Sequence, residues 1–225
     1  MIPSVWIHGA GSAGQIWEGF PADLTPDLPG HGAAPRATPP TVDRFAQILL
    51  PTLPERFRLV GHSLGGMVAL EIAARAPRCV SSLVLIEAVS TVRDTLGQKV
   101  PAWIFKQIYS RIPIRWAAKM AAVGQPAQAG LRHSALLGQM SRGALQDTLA
   151  ASYAYDGRPA LHRIQCPTLV LVGCASTPIH RGARRIAETI PGAEFDMLEG
   201  GHQLHTDAPQ ALSQRITTFW QAHPS

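Results

Sequence analysis

Cysteine is scarce in this chain: Cys79, Cys166 and Cys174 are the only three among 225 residues. The count is odd and no pair has C-x-x-C spacing, so reduced thiols in a cytoplasmic compartment are expected. Long hydrophobic runs are missing too. No uninterrupted stretch approaches the roughly 20 apolar residues of a membrane span. The opening Met1-Ile2-Pro3-Ser4-Val5-Trp6 shows no basic segment followed by a long apolar one, so no signal peptide is expected. Charge-rich tracts are absent, with 16% of residues charged and 46% hydrophobic, which excludes disorder as the dominant state. Acidic residues are absent from Thr95 to Gln146, although Lys99, Lys106, Arg111, Arg115, Lys119, Arg132 and Arg142 lie there. Such a run is often only a solvated face. It leaves open the steering of an anionic substrate or an acidic acyl carrier protein. The net charge of +5 does not imply nucleic acid, because the basic residues fall in helical segments without a recognised binding motif.

What is present is an alternation of apolar strands and amphipathic helices on the scale of one domain. Val5-Trp6-Ile7 reads as a buried strand ending in the turn His8-Gly9-Ala10-Gly11, and Ser12 to Phe20 as a short helix with Ile16 and Trp17 inward. Ala22 to Leu28 reads as a weak strand. Thr41 can cap a helix running to Leu50, with Val42, Phe45, Ile48 and Leu49 on its apolar face. Strands are expected at Phe57–Val60, Ser82–Ile86, Cys166–Gly173 and Phe195–Leu198. Helices are expected from Met67 to Pro77, from Arg181 to Ile190, and at the C-terminus behind an Asp207 cap. Strands alternating with helices imply an open parallel sheet, whose ligands bind at the carboxyl ends of the strands. His8-Gly9, Ser63, Glu87, Ser176 and His202 all follow strands and therefore converge on one edge. The block from Ser90 to Pro159 has no strand pattern, and Ser141 is a candidate helix cap within it. The expected organisation is a core of residues 1–89 and 160–225 with an inserted helical cap of residues 90–159.

The organising stretch is Gly61-His62-Ser63-Leu64-Gly65, set between a strand and a helix. In that context G-x-S-x-G forms a nucleophile elbow. The turn is sharp, its serine is strained, and side chains two residues to either side would collide. Together with His8-Gly9, Asp27-Leu28-Pro29-Gly30-His31-Gly32, Pro167–Gly173 and Gly201-His202, it makes the chain resemble the α/β-hydrolase family over Val5–Val89 and Arg163–Phe219. The lid pattern resembles the capped carboxylesterases, including pimeloyl-carrier-protein methyl ester esterases. The resemblance implies an α/β-hydrolase fold, with helices on both faces of a mostly parallel sheet. Family members usually carry two strands before the His-Gly strand, so a sheet shortened to about six strands is expected.

Ser63 is the candidate nucleophile and needs a base within hydrogen-bond reach. His202 follows the last strand, where the family places that base. The resemblance puts the oxyanion hole at the backbone N–H groups of Leu64 and Ala10. His8 and His31 are expected to brace loops, and His62 to shape the site. His202 and His205 lack further ligands for a metal, so no metal or organic cofactor is expected. The family usually places the acid where this chain has Ser176, and no carboxylate lies between Cys166 and Ile186. A serine cannot hold an imidazolium by charge. Glu87, at the end of the preceding buried strand, is the candidate acid, because haloalkane dehalogenases and some lipases resemble this arrangement. Trp103, Phe105 and Trp116 are candidates for an acyl pocket. The reading is a serine esterase acting on a small-molecule ester. Thioester hydrolysis, C–C bond hydrolysis and a non-catalytic pseudo-hydrolase stay open.

Overall fold

The computed structural model describes residues 2–92 and 134–224. Its five strands lie in sequence order, β1 (Ser4–Ile7), β2 (Phe57–His62), β3 (Val80–Ile86), β4 (Thr168–Gly173) and β5 (Glu194–Leu198). Every neighbouring pair is parallel. The described helices are α1 (Val42–Leu49), α2 (Leu64–Arg75), α3 (134–139), α4 (Arg142–Ala154), α5 (Arg158–Leu161), α6 (Thr177–Thr189), α7 (Leu204–Asp207) and α8 (Pro209–Ala222). No helix among the described residues is long and apolar enough to cross a membrane.

Strand side chains alternate between faces, and that alternation divides the core in two. Ile7, Leu59, Leu83, Leu85, Val170 and Val172 join Phe45 of α1, Leu70 of α2 and Ile186 of α6 in one buried cluster. Trp6, Val60, Val84, Ile86, Leu169 and Leu171 join Trp17 and the α8 residues Leu212, Ile216 and Phe219 in the other. Each large apolar side chain so buried stabilises the fold by about 2 kcal/mol. Helices therefore cover both faces, and the strand ends carry the polar turns.

The expected sixth strand is not formed. In Ala22–Leu28 only Leu24 bridges Val5. Trp6 N–H donates to the Leu24 carbonyl at 2.8 Å and Leu24 N–H to that of Ser4 at 3.0 Å. Pro26 then offers no N–H to extend the ladder, and Asp27 turns its carboxylate to the Gly14 N–H at 2.8 Å. The helix expected over Ser12–Phe20 contracts to a 3-10 turn, Gly14–Trp17. On α1, Thr41 caps as expected by accepting from Arg44 N–H at 3.1 Å, but Ala46 faces the core while Ile48 is 36% exposed.

Most of the expected cap, including Trp103, Phe105, Trp116 and six of the seven basic residues of the Thr95–Gln146 run, lies outside the described residues. Its described end is tied to the core. Ser141 caps α4, accepting from Ala144 N–H at 3.1 Å. Arg36 Nε donates to Asp147 of α4 at 2.7 Å. The buried Tyr155 hydroxyl donates to Glu71 of α2 at 3.2 Å.

Candidate active site

Ser63 follows β2 directly, at φ 53° and ψ −116°. An L-residue held there stores about 1–3 kcal/mol of strain, and the surrounding close packing maintains it. A side chain on Gly65 would strike the carbonyl oxygens of Ile7 and His8, so a glycine lets α2 begin against the end of β1. The Ser63 carbonyl accepts from Gly66 N–H at 3.0 Å and Met67 N–H at 3.2 Å. Leu64 is the first residue of α2, so its N–H has no intrahelical acceptor and favours a negative atom.

His202 arrives from β5 by crossing the end of β4. A Cβ on Gly173 would lie 2.5 Å from the Gly200 carbonyl oxygen and 2.7 Å from that of Gly201, so glycine makes the crossing feasible. Ala175 N–H donates to the Gly200 carbonyl at 2.9 Å. Asp207 is not the helix cap the sequence suggests: Ala208 stands at the cap of α8, and Asp207 instead accepts from Gly201 N–H at 2.8 Å. The loop so held delivers the imidazole between the ends of β2 and β3. His202 Nε2 lies 3.1 Å from Ser63 Oγ, and His202 Nδ1 lies 3.1 Å from Glu87 Oε2.

Glu87 follows β3 directly and its side chain is fully buried. Its N–H donates to the Leu171 carbonyl at 2.8 Å, and its Oε1 accepts from the N–H of Gly173. A buried carboxylate is tolerable only when both oxygens are partnered, and here they are. Among the described non-glycine residues, Ser63 and Glu87 are the two with positive φ. Nothing in the sequence signalled the strain at Glu87. Ser176 is also buried, but its hydroxyl has no hydrogen-bond partner among the described residues. The structure thus brings Ser63, His202 and Glu87 into one line and leaves Ser176 outside it.

The first loop abuts this line. A Cβ on Gly9 would lie 3.1 Å from Ser63 Cβ, which sets Ala10 one residue beyond that contact. Two buried histidines hold the loop, as expected. His8 accepts from Leu28 N–H at Nε2, 3.0 Å, and donates from Nδ1 to the Gly9 carbonyl at 2.8 Å. His31 accepts from Gly11 N–H at 3.2 Å and donates to the Pro29 carbonyl at 3.2 Å. Neither ring has room for a second proton. Burial, and then the neighbouring His31, push the His8 pKa from 6.5 to about 3. Burial lowers that of His31 as well. An unfolded chain takes up these protons near its ordinary histidine pKa, so below about 6.5 the unfolded state binds more protons than the folded one. This contribution to stability is complete above that pH and is lost as the pH falls toward about 3. The urea midpoint should therefore drop steadily between about pH 7 and pH 4, and His8→Gln should show a shallower slope. A midpoint that is flat over this range would contradict the assignment.

His62, in the variable position of the elbow, is 2% exposed. Its Nε2 lies 2.8 Å from the His202 carbonyl oxygen. A cavity of about 1110 Å³ flanks the histidine loop, with Gln203, His205, Gln139 and Phe20 in its wall. Among the described residues, no group of three or more histidine, cysteine or acidic side chains is arranged to hold a metal.

The family of alpha/beta hydrolases matches residues 5–215, nearly the whole chain. The chain belongs to that family. Among α/β hydrolases it is 32% identical over 245 aligned positions to the pimeloyl-[acyl-carrier protein] methyl ester esterase of Chromobacterium violaceum, covering 95% of this chain and 94% of that one. To the enzyme of the same name from Aromatoleum aromaticum it is 46% identical over 89 residues, 36% of this chain. That stretch spans only about a third (35%) of the Aromatoleum protein's length. A solved hydrolase from Pseudomonas aeruginosa superposes with a TM-score of 0.83 at 25% identity, covering 97% of this chain and 89% of that one. The Pseudomonas hydrolase thus shares the overall fold of this chain.

Proposed function

We propose that this protein is a serine hydrolase that cleaves carboxylic esters through an acyl-enzyme on Ser63. One observation carries the reading. Ser63 Oγ and Glu87 Oε2 each stand in hydrogen-bond reach of His202, at 3.1 Å on either side of the imidazole. Ser63 Oγ attacks the ester carbonyl while His202 Nε2 takes its proton. The carbonyl oxygen becomes an oxyanion facing the N–H groups of Leu64 and Ala10. Losing one such donor costs about 3 kcal/mol of barrier. The intermediate collapses, His202 hands its proton to the departing alkoxide, and the alcohol leaves. Water then attacks the acyl-enzyme, giving a proton to His202, and the acid departs as Ser63 regains its hydrogen. Glu87 holds the Nδ1–H tautomer of His202 and stabilises its cation.

The names of the similar proteins favour an ester over a thioester or a C–C bond. The same names, with the basic run Lys99–Arg142, support an acyl group borne on an acidic carrier protein as the substrate. The test is labelling by a fluorophosphonate with intact-mass detection. A single adduct on Ser63, with turnover of p-nitrophenyl acetate, butyrate or octanoate, is the expected result. A well-folded chain that resists the reagent and hydrolyses none of the esters would instead be a pseudo-hydrolase.

A further inference from the structure

His62 is adjacent to Ser63 in the chain and its side chain is buried. It runs to the backbone of the histidine loop. A carbonyl oxygen can only accept, so the 2.8 Å contact with His202 O is a donation from His62 Nε2–H. On its other side the ring fills the space against the first loop, since a Cβ on Gly9 would lie 2.8 Å from His62 Nδ1. Three described rings also stand close: His202 at 5.1 Å, His205 at 5.2 Å and Trp17 at 6.3 Å between centroids. One buried imidazole therefore touches three parts of the machinery: the elbow by its own backbone, the loop bearing Ala10, and the loop bearing His202.

We propose that His62 is a positioning residue that sets the spacing between the proton acceptor His202 and the nucleophile elbow. This rests on the serine hydrolase reading. The His202 side chain is 44% exposed, so packing alone holds it loosely, and its main chain needs a tether. His62 supplies one by a bond to the carbonyl of His202 itself. A misplacement of about 1 Å in such a constellation lowers turnover roughly 100-fold, without altering how substrate binds.

The experiment compares His62→Leu, His62→Gln and His62→Asn, with kcat and KM on p-nitrophenyl butyrate, the rate of fluorophosphonate labelling, and thermal midpoints. Leucine removes the donor, glutamine keeps an N–H of similar reach, and asparagine keeps one that falls short by a methylene. The expected result for leucine is kcat lower by about 10- to 100-fold, KM nearly unchanged, and labelling slowed by the same factor. Glutamine should recover most of that loss and asparagine should not, at similar midpoints. If the leucine variant does not fold, the glutamine–asparagine difference alone decides. Leucine turnover equal to wild type, or a loss carried by KM, overturns the proposal. So does glutamine no better than asparagine. Wild-type protein that neither hydrolyses the ester nor takes the label overturns the hydrolase reading instead, and that result differs from substituted proteins that work as well as wild type.

Discussion

Ser63→Ala should abolish ester turnover and leave the fold intact. The hydroxyl is the atom that forms the acyl-enzyme, and no neighbouring group replaces it. His202 Nε2, 3.1 Å away, would be left facing a methyl group. Removing such a nucleophile lowers kcat by a factor on the order of 10⁶. The residual rate would come from water attacking a carbonyl still polarised by the N–H groups of Leu64 and Ala10. Alanine keeps a Cβ, so the strain at φ 53° is unchanged, and the sheet and α2 should keep their circular-dichroism signal and thermal midpoint. The measurement is kcat on the p-nitrophenyl ester series, beside wild type. Turnover within tenfold of wild type would place the reaction on another residue and remove the acyl-enzyme from the mechanism.

Glu87→Gln should lower turnover by about 10⁴, and the reason lies in the number of acceptors. Glu87 has two oxygens and both are engaged, Oε1 by the Gly173 N–H and Oε2 by His202 Nδ1. Glutamine has one carbonyl oxygen. The Gly173 N–H is a fixed backbone donor and claims it. The amide NH₂ is then turned to His202 and donates to Nδ1, which forces the proton onto Nε2. That tautomer cannot accept a proton from Ser63. The fold should survive, since shape and the Gly173 bond are retained. Ser176→Ala supplies the contrast. Its hydroxyl makes no hydrogen bond among the described residues, so turnover should stay near wild type. Exchanged results, with Ser176 critical and Glu87 dispensable, would remove Glu87 from the role of the acid.

Much of this was legible in residue order alone. Local patterns determined the alternation of strands and helices, the sharp turn around Ser63 and the Thr41 and Ser141 caps, whereas His202 was nominated through the resemblance to the hydrolase family. The local patterns depend on neighbours in the chain: periodicity, glycine spacing and capping chemistry act over a few residues. Ala22–Leu28 misled because its apolar residues suggested a strand, while Pro26 denied the ladder a donor. Asp207 misled because a carboxylate before a helix suits a cap, yet the Gly201 N–H across the loop was the better partner.

The sequence could nominate Glu87 only by noticing that Ser176 is no acid. The tertiary structure decided which of the two meets His202. The histidine loop crosses Gly173 at the end of β4 and comes down beside β3, so the carboxylate within reach of His202 Nδ1 is the one after β3. The tether from His62 to the His202 carbonyl was equally invisible, because it joins residues 140 positions apart. Short-range order determined which groups this protein possesses. Where backbone crosses backbone, a long-range consequence of sheet packing, decided which of them touch.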